Sequence, residues 1–262
     1  MQPLHTRHNT FSLLMTFMGG LAMLFIAAPV FGILFKTGFP ELKEALIDRN
    51  VTLSISRTLA ISFAATLFFG LFSIPLAWIF SRRNFRGKRL LRGLVNIPII
   101  IPHSAAGIAL LSVLSSGRTS SGFAADLIGT PAGIALAMAF VSIPFLINAA
   151  IDGFSAVPER LEKAALNLGA SPARVFFTIS LPLAWRQILT GAIMMFGRGM
   201  SEFGAVIIIA YHPMTVPVLI YERFTSFGLA YARPVAVIFI VISLLVFVVL
   251  RLIPHPDKKQ QQ

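Results

Sequence analysis

Cysteine is absent from this chain, and acidic residues are scarce, with 10 Asp and Glu against 22 Lys and Arg. Without cysteine the chain forms no disulfide and offers no thiolate nucleophile and no Cys-based zinc or iron–sulfur site. It also lacks the sequence G-x-x-x-x-G-K-[ST], because its one Gly-Lys pair, Gly87 and Lys88, is followed by arginine. No loop that cradles nucleotide phosphates is therefore predicted, and ATP hydrolysis by this chain alone is excluded.

Patterns typical of metal binding and catalysis are missing as well. The histidines are scattered, and no nucleophile and base converge within an apolar segment in a recognisable protease motif. We therefore predict no metal site and no enzymatic activity. The five histidines are His5, His8, His103, His212 and His255.

Charged residues make up only 12% of the chain, whereas hydrophobic residues make up 56% and the mean hydropathy is +0.82. Runs of about 20 uncharged residues are long enough to cross a bilayer as α-helices. The sequence therefore predicts an all-α polytopic membrane protein with one transmembrane domain over residues 1–262. We expect the first span to be retained, although Ala27-Ala28 would allow cleavage of a signal peptide. The six spans are expected at about residues 11–35, 59–80, 93–114, 131–151, 183–208 and 234–250.

Basic residues are concentrated in one short loop between the second and third spans, which contains no acidic residue. Basic loops mark the cytoplasmic side of a membrane protein. In contrast, the segment 36–50 is balanced in charge, and so is the loop with Arg118 and Asp126, so both are expected outside. This alternation predicts that both termini are cytoplasmic. The basic loop also suits contact with anionic lipid, and its members are Arg82, Arg83, Arg86, Lys88, Arg89 and Arg92.

The segment 152–182 joins the fourth and fifth spans and contains a long amphipathic stretch. At helical spacing its apolar residues form one stripe, and polar residues take the remaining surface. Gly169 ends this helix, and Ser171-Pro172 indicates the start of a second short helix towards Thr178, with the serine as N-cap. Such a stretch is also typical of a surface loop in the headgroup region. The stripe consists of Leu161, Ala164, Ala165 and Leu168, and the polar surface of Arg160, Glu162, Lys163 and Asn167.

The same segment resembles the cytoplasmic signature loop of binding-protein-dependent ABC transporter permeases, which reads EAA, three residues, G, nine residues, I-x-LP. The match runs from Ala164 and Ala165 through Gly169 to Ile179-x-Leu181-Pro182, with Lys163 at the family's glutamate position and Glu162 one place earlier. The resemblance implies the type I ABC importer permease fold and a loop that docks on a separate ATPase subunit. It assigns ATPase coupling to Glu162, Lys163, Ala164, Ala165, Gly169, Ala170, Ser171, Leu181 and Pro182.

Ionisable residues interrupt two predicted spans that run in the same direction. Charges cost about 2.5–3.5 kcal/mol each at a helix centre, so they favour a bundle interior or a watery path. At about 1.5 Å per residue, both interruptions lie roughly 20 Å into the membrane. Arg198 and Glu202 are four residues apart, so on one interpretation they form a purely structural ion pair. On a second interpretation, Arg198 donates hydrogen bonds to an oxyanion, and Glu202 prevents tight retention of that anion. On the second interpretation the translocation pathway is lined by His103, Ser104, Arg198, Ser201 and Glu202.

Two further segments, 97–111 and 198–224, look like the corresponding parts of molybdate and tungstate permeases. Sulfate and thiosulfate permeases have a similar Glu-Phe-Gly element, which here is residues 202–204. The resemblance implies that two copies of this chain import molybdate or tungstate together with two ATPase subunits and an extracytoplasmic oxyanion-binding protein. ATP and Mg would be bound by the ATPase, and this chain would bind no cofactor.

Other functions remain as alternatives. A sulfate or thiosulfate permease is the nearest one. A secondary transporter driven by an ion gradient belongs to another class, because discontinuous spans at mid-membrane are expected there too. The signature loop and the lack of two similar halves disfavour it. A membrane scaffold without transport would leave the mid-membrane charges unexplained.

Overall fold

The computed structural model describes residues 10–115 and 125–251, which are helical in most of their length and contain no strand. The predicted all-α fold is confirmed. A 3₁₀ turn, Ala125–Leu127, precedes α6, and a π turn, Phe176–Ser180, joins α8 to α9. The helices are α1 (Thr10–Phe35), α2 (Phe39–Ile47), α3 (Arg49–Arg82), α4 (Lys88–Ile100), α5 (His103–Ser115), α6 (Pro131–Ala156), α7 (Glu159–Asn167), α8 (Pro172–Val175), α9 (Leu181–Met200), α10 (Gly204–Ile209), α11 (Val216–Phe227) and α12 (Leu229–Arg251).

Within the described ranges, five helical segments are long and apolar enough to cross a membrane, and six if α4 and α5 count as one bent span. Three of them begin earlier than the corresponding predicted spans. The second predicted span begins at Arg49 rather than near residue 59, the fifth at Pro172 rather than near residue 183, and the sixth at Leu229 rather than near residue 234. The five segments are Phe11–Phe35, Arg49–Arg82, Pro131–Ala156, Pro172–Met200 and Leu229–Leu250.

The third predicted span, residues 93–114, is broken rather than continuous. The chain bends by 113° between its two helices, α4 and α5. Ile101 has extended backbone angles, φ −73° and ψ 148°. The ring of Pro102 disfavours the helical conformation for the residue before it, and this accounts for the break at Ile101.

The fifth predicted span, residues 183–208, is interrupted as well. Helix α9 ends at Met200, and α10 begins at Gly204. At its other end, the helical segment continues back through the π turn to Pro172. The π turn lies just before Leu181-Pro182. Pro182 has no backbone N–H to donate to the preceding turn, and the wider π turn accommodates this missing hydrogen bond.

Helix α6 is the centre of the bundle, and α3 and α9 pack on it. Its most hydrophobic stretch is 61% buried, whereas that of α1, at the periphery, is not buried at all. Small residues let α6 and α9 approach closely, as is common where helices pack in a bilayer. Gly191 of α9 lies directly against Leu146 and Ala149 of α6.

A packing test follows from Gly191. A Cβ at this position would lie 2.7 Å from the Cβ of Ala149 and 3.1 Å from the Cα of Leu146. We expect Gly191→Ala to lower the free energy of unfolding by about 1–3 kcal/mol, because the two helices must move apart.

The matched control is Gly197→Ala on the same helix, where no described heavy atom lies within 4 Å of the new Cβ. Alanine there is expected to be neutral or slightly stabilising, since it favours the helix over the unfolded chain. The measurement is the apparent melting temperature of each variant in detergent. Equal melting temperatures for the two variants would contradict the close packing of α6 and α9.

Candidate functional site

The two helix breaks meet at one polar cluster inside the bundle. His103 is the first residue of α5, Arg198 lies in the last turn of α9, and Glu202 lies in the break between α9 and α10. The predicted similar depth of these residues corresponds to direct contact between them in the structure. We call these three residues the polar cluster.

Glu202 is the most enclosed member of the polar cluster, with 1% of its surface exposed. Its Oε2 lies 2.9 Å from Nη2 of Arg198 and 2.7 Å from Nδ1 of His103. Its Oε1 accepts a hydrogen bond of 2.9 Å from the backbone N–H of Ala205. Both carboxylate oxygens therefore have partners, as a buried charge requires.

His103 bridges the other two members of the polar cluster. Its Nδ1 lies 2.7 Å from Oε2 of Glu202, and Nη2 of Arg198 lies 2.6 Å from Nδ1 and 2.8 Å from Nε2 of the same ring. The side chains of His103 and Arg198 are only partly buried, and 26% of the Arg198 side chain is exposed. The cluster thus hides its acid and leaves part of its basic groups accessible.

Close backbone approach makes this contact possible. A Cβ at Gly204 would lie 2.8 Å from the Cβ of His103, and one at Gly107 would lie 2.9 Å from the Cα of Ala205. The glycines therefore bring α5 and α10 together beside the polar cluster.

The predicted pathway residues fall into two groups. Ser104 and Ser201 are exposed, and Ser201 donates a 3.1 Å hydrogen bond to the carbonyl of Arg198. Glu202 differs from the prediction, because it is enclosed rather than lining an open surface. The Arg198–Glu202 pair of the structural alternative does form, and it still leaves part of Arg198 open.

The amphipathic segment has the helix-turn-helix form that its sequence predicts. Gly169 lies between α7 and α8 with φ +86°, a conformation that glycine adopts at little cost. The Oγ of Ser171 accepts the N–H of Arg174 at 3.3 Å, which confirms the serine as the N-cap of α8. The two helices of this segment are therefore joined by a defined turn rather than by an irregular loop. We call this turn, residues 168–171, the elbow.

Helix α7 departs from the expected arrangement at Glu162 and along the apolar stripe, whereas the polar residues Arg160, Lys163 and Asn167 are exposed as predicted. Leu161 and Leu168 of the apolar stripe are exposed, the latter by 89%, whereas Glu162 of the predicted polar surface is buried. Lys163 is exposed and pairs with Glu159 at 2.9 Å. This ammonium group holds the pKa of the Glu159 carboxyl below its usual value through a hydrogen bond and charge attraction.

Glu162 turns inward because its carboxylate accepts three hydrogen bonds, one of them buried and two partly buried. Arg82 donates from Nε to Oε2 at 2.8 Å and from Nη2 to Oε1 at 2.9 Å, and Ser180 Oγ donates to Oε1 at 2.7 Å. Sequence reasoning missed Arg82 and Ser180, since Arg82 was grouped with the basic loop. Arg82 is the first basic residue after the second predicted span, and this position is the sequence signal that separates it from the rest of the basic loop.

The other predicted coupling residues lie in two places. Leu181 and Pro182 are in the first turn of α9, beyond the π turn. The remaining ones are in α7 or at the elbow, and they are Lys163, Ala164, Ala165, Gly169, Ala170 and Ser171.

Among the residues that the structure describes, no three His, Asp or Glu side chains form a group that could hold a metal ion. His5, His8, His255 and Arg118 lie outside these residues.

Comparison with known proteins gives consistent matches. Residues 73–255 match the family described as binding-protein-dependent transport system inner membrane component. The chain is 43% identical over 236 residues to a molybdate/tungstate transport system permease protein from Pyrococcus abyssi, covering 89% of this chain and 92% of that protein. It is 33% identical over 195 residues to a probable sulfate transport system permease protein from Chlorokybus atmophyticus, covering 71% and 68%.

A solved structure of similar fold is a bacterial ABC transporter involved in the import of the polysaccharide alginate. The TM-score is 0.69 at 16% sequence identity, with 92% of this chain and 94% of that chain covered. At this identity the likeness shows a shared fold.

Loss of the buried carboxylate tests the polar cluster. We expect Glu202→Ala to lower the free energy of unfolding by about 3 kcal/mol, because Arg198 loses its counter-charge and His103 loses a hydrogen-bond partner. The neighbouring exposed change Ser201→Ala is the stability control and should stay within about 0.5 kcal/mol. Thermal unfolding in detergent measures both, and similar stability of the two variants would show that the pairing of Glu202 is unimportant.

Proposed function

Because the chain belongs to the family of inner membrane components of binding-protein-dependent transport systems, we propose that it moves molybdate or tungstate across the bilayer. It is a multi-pass membrane protein and an ABC importer permease, a transport subunit rather than an enzyme. The observation that supports the substrate best is the 43% identity to a molybdate/tungstate permease over 89% of the chain.

The chemistry of the polar cluster suits a divalent oxyanion. The Arg198 side chain is 26% exposed, and Ser104 and Ser201 are exposed as well. These residues can donate hydrogen bonds to anionic oxygens, Ser201 once it releases its bond to the carbonyl of Arg198. Glu202 compensates part of the positive charge from the buried side. Such a site attracts the anion weakly, and a pathway must release its cargo as well as admit it.

Sulfate is the second candidate substrate. A probable sulfate permease matches a smaller share of the chain at 33% identity. Molybdate, tungstate and sulfate are all tetrahedral divalent anions at neutral pH, so the polar cluster alone does not separate them.

Energy is proposed to come from a separate ATPase subunit, which would bind the ATP and Mg. The segment Glu159–Pro182 is the proposed docking region, with the basic loop beside it on the cytoplasmic side. Leu168, 89% exposed at the elbow, is a large apolar side chain that an ATPase groove would cover. Two copies of this chain, two ATPase subunits and an extracytoplasmic oxyanion-binding protein complete the proposed assembly.

Reconstituted transport tests the substrate and the pathway together. Proteoliposomes with this chain, its ATPase and its binding protein should take up labelled molybdate and tungstate only with ATP. Arg198→Ala should reduce uptake about tenfold or more, because hydrogen bonds from a charged donor to the anion are lost. Arg198→Lys keeps the charge but loses the planar fork, so its uptake should be intermediate.

Two results would overturn the proposal. One is uptake that follows an ion gradient and needs no ATP. The other is unchanged uptake in all three of Ser104→Ala, Arg198→Ala and Ser201→Ala. Stronger competition by sulfate than by molybdate would favour the second candidate.

Docking of the ATPase can be tested at the elbow. We expect Leu168→Asp to weaken association with the ATPase subunit about tenfold, because it places a charge in an apolar contact. Leu168→Met keeps an apolar side chain of similar size and should behave as the unmodified protein does. Co-purification of the ATPase from detergent measures both, and full recovery with Leu168→Asp would exclude this docking site.

A further inference from the structure

We propose that Arg82, Glu162 and Ser180 form a rigid linkage that transmits movement of α7 to the membrane-spanning helices. In this inference, which rests on the proposed function, Arg82 and Glu162 are positioning residues: they hold α7 against the bundle and do not touch the substrate or the ATPase. We call the three residues the α7 linkage.

The α7 linkage joins four elements at one point. Arg82 ends α3, Glu162 belongs to α7, and Ser180 is the last residue of the π turn before α9. Nη2 of Arg82 also donates to the carbonyl of Val157, 3.0 Å away at the end of α6. The three helices that pack together as the bundle's centre are therefore all held to α7.

The α7 linkage is firm, because its charges are paired and shielded from water. The side chains of Arg82 and Glu162 are 10% and 12% exposed, and the guanidinium contacts both carboxylate oxygens. Removing one partner of such a pair strongly destabilises the folded protein, because the other charge stays buried without a counter-charge. In contrast, the Glu159–Lys163 pair on the same helix is exposed to solvent and contributes little to the stability of the fold.

The α7 linkage also connects to the polar cluster. Ser180 and Arg198 lie on one helical segment, Pro172–Met200. Helix α3 reaches the same level, because Ser62 donates a 2.8 Å hydrogen bond to the carbonyl of Phe196. Displacement of α7 therefore acts on both helices that lead to Arg198.

The test separates coupling from folding by measuring oxyanion transported per ATP hydrolysed in proteoliposomes of the complete complex. We expect Arg82→Gln and Glu162→Gln to leave ATP hydrolysis in place and to lower this ratio about tenfold. Ser180→Ala keeps the ion pair and should lower the ratio by a smaller factor. Arg83→Gln is the matched control, since it removes the same charge from the exposed neighbouring residue, and its ratio should be unchanged.

An unchanged ratio in Arg82→Gln and Glu162→Gln would overturn the inference. A variant that forms less complex, but whose assembled fraction transports with the normal ratio, would also overturn the inference. That result would show that the pair is purely structural. If neither charge variant assembles, an unchanged ratio in Ser180→Ala overturns it, and a lowered ratio supports it. Failure of the proposed function would differ from all of these, because the unmodified protein would then show no ATP-dependent uptake.

Discussion

The bilayer allows a carboxylate in its interior only when that carboxylate is fully paired, and Glu202 meets this constraint by organising the surrounding helices. Its partners come from the start of α5, the end of α9 and the first turn of α10. Two helix breaks, at residues 101–102 and 201–203, are held together by this one side chain. Broken helices at membrane depth are tolerated where protein groups satisfy them, and such breaks are typical of binding or transport sites.

A second enclosed carboxylate, Glu162, plays the corresponding part at the other end of α9. It pairs with Arg82 and accepts from Ser180, whereas the polar cluster lies near Met200. The protein thus has one buried acid where work is proposed to enter and another where the cargo is proposed to pass. The helical segment Pro172–Met200 connects them. This arrangement offers a direct mechanical route between the two sites.

Local sequence patterns predicted the features that depend on local chemistry. The apolar runs predicted long helices, although several of them begin at other residues than expected, Gly169 predicted the elbow, and Ser171-Pro172 predicted the start of α8. The features that depend on tertiary contacts were not predictable in this way. Pro102 explains why the helix is interrupted there, but the sequence does not give the bend of 113° between α4 and α5.

The burial of the carboxylates of Glu202 and Glu162 also depends on tertiary contacts that local sequence patterns do not reveal. Counting residues gave Glu202 a depth, but not its burial, because burial depends on which neighbouring helices enclose it. Helical periodicity placed Glu162 on a polar outer surface, whereas its pairing with Arg82, 80 positions away in sequence, turns it inward. Leu161 on the same helix and Leu168 just after it are exposed.

Because the chain has no cysteine of its own, a thiol introduced at the elbow after α7 can report whether a partner ATPase acts there. Leu168→Cys gives a single reactive thiol at the elbow, to which a short thiol-reactive photo-cross-linker can be attached in membranes containing the ATPase subunit. We expect a cross-linked product of this chain with the ATPase, in a yield that changes when ATP is added. Cross-links to lipid or to this chain alone, with none to the ATPase, would contradict it.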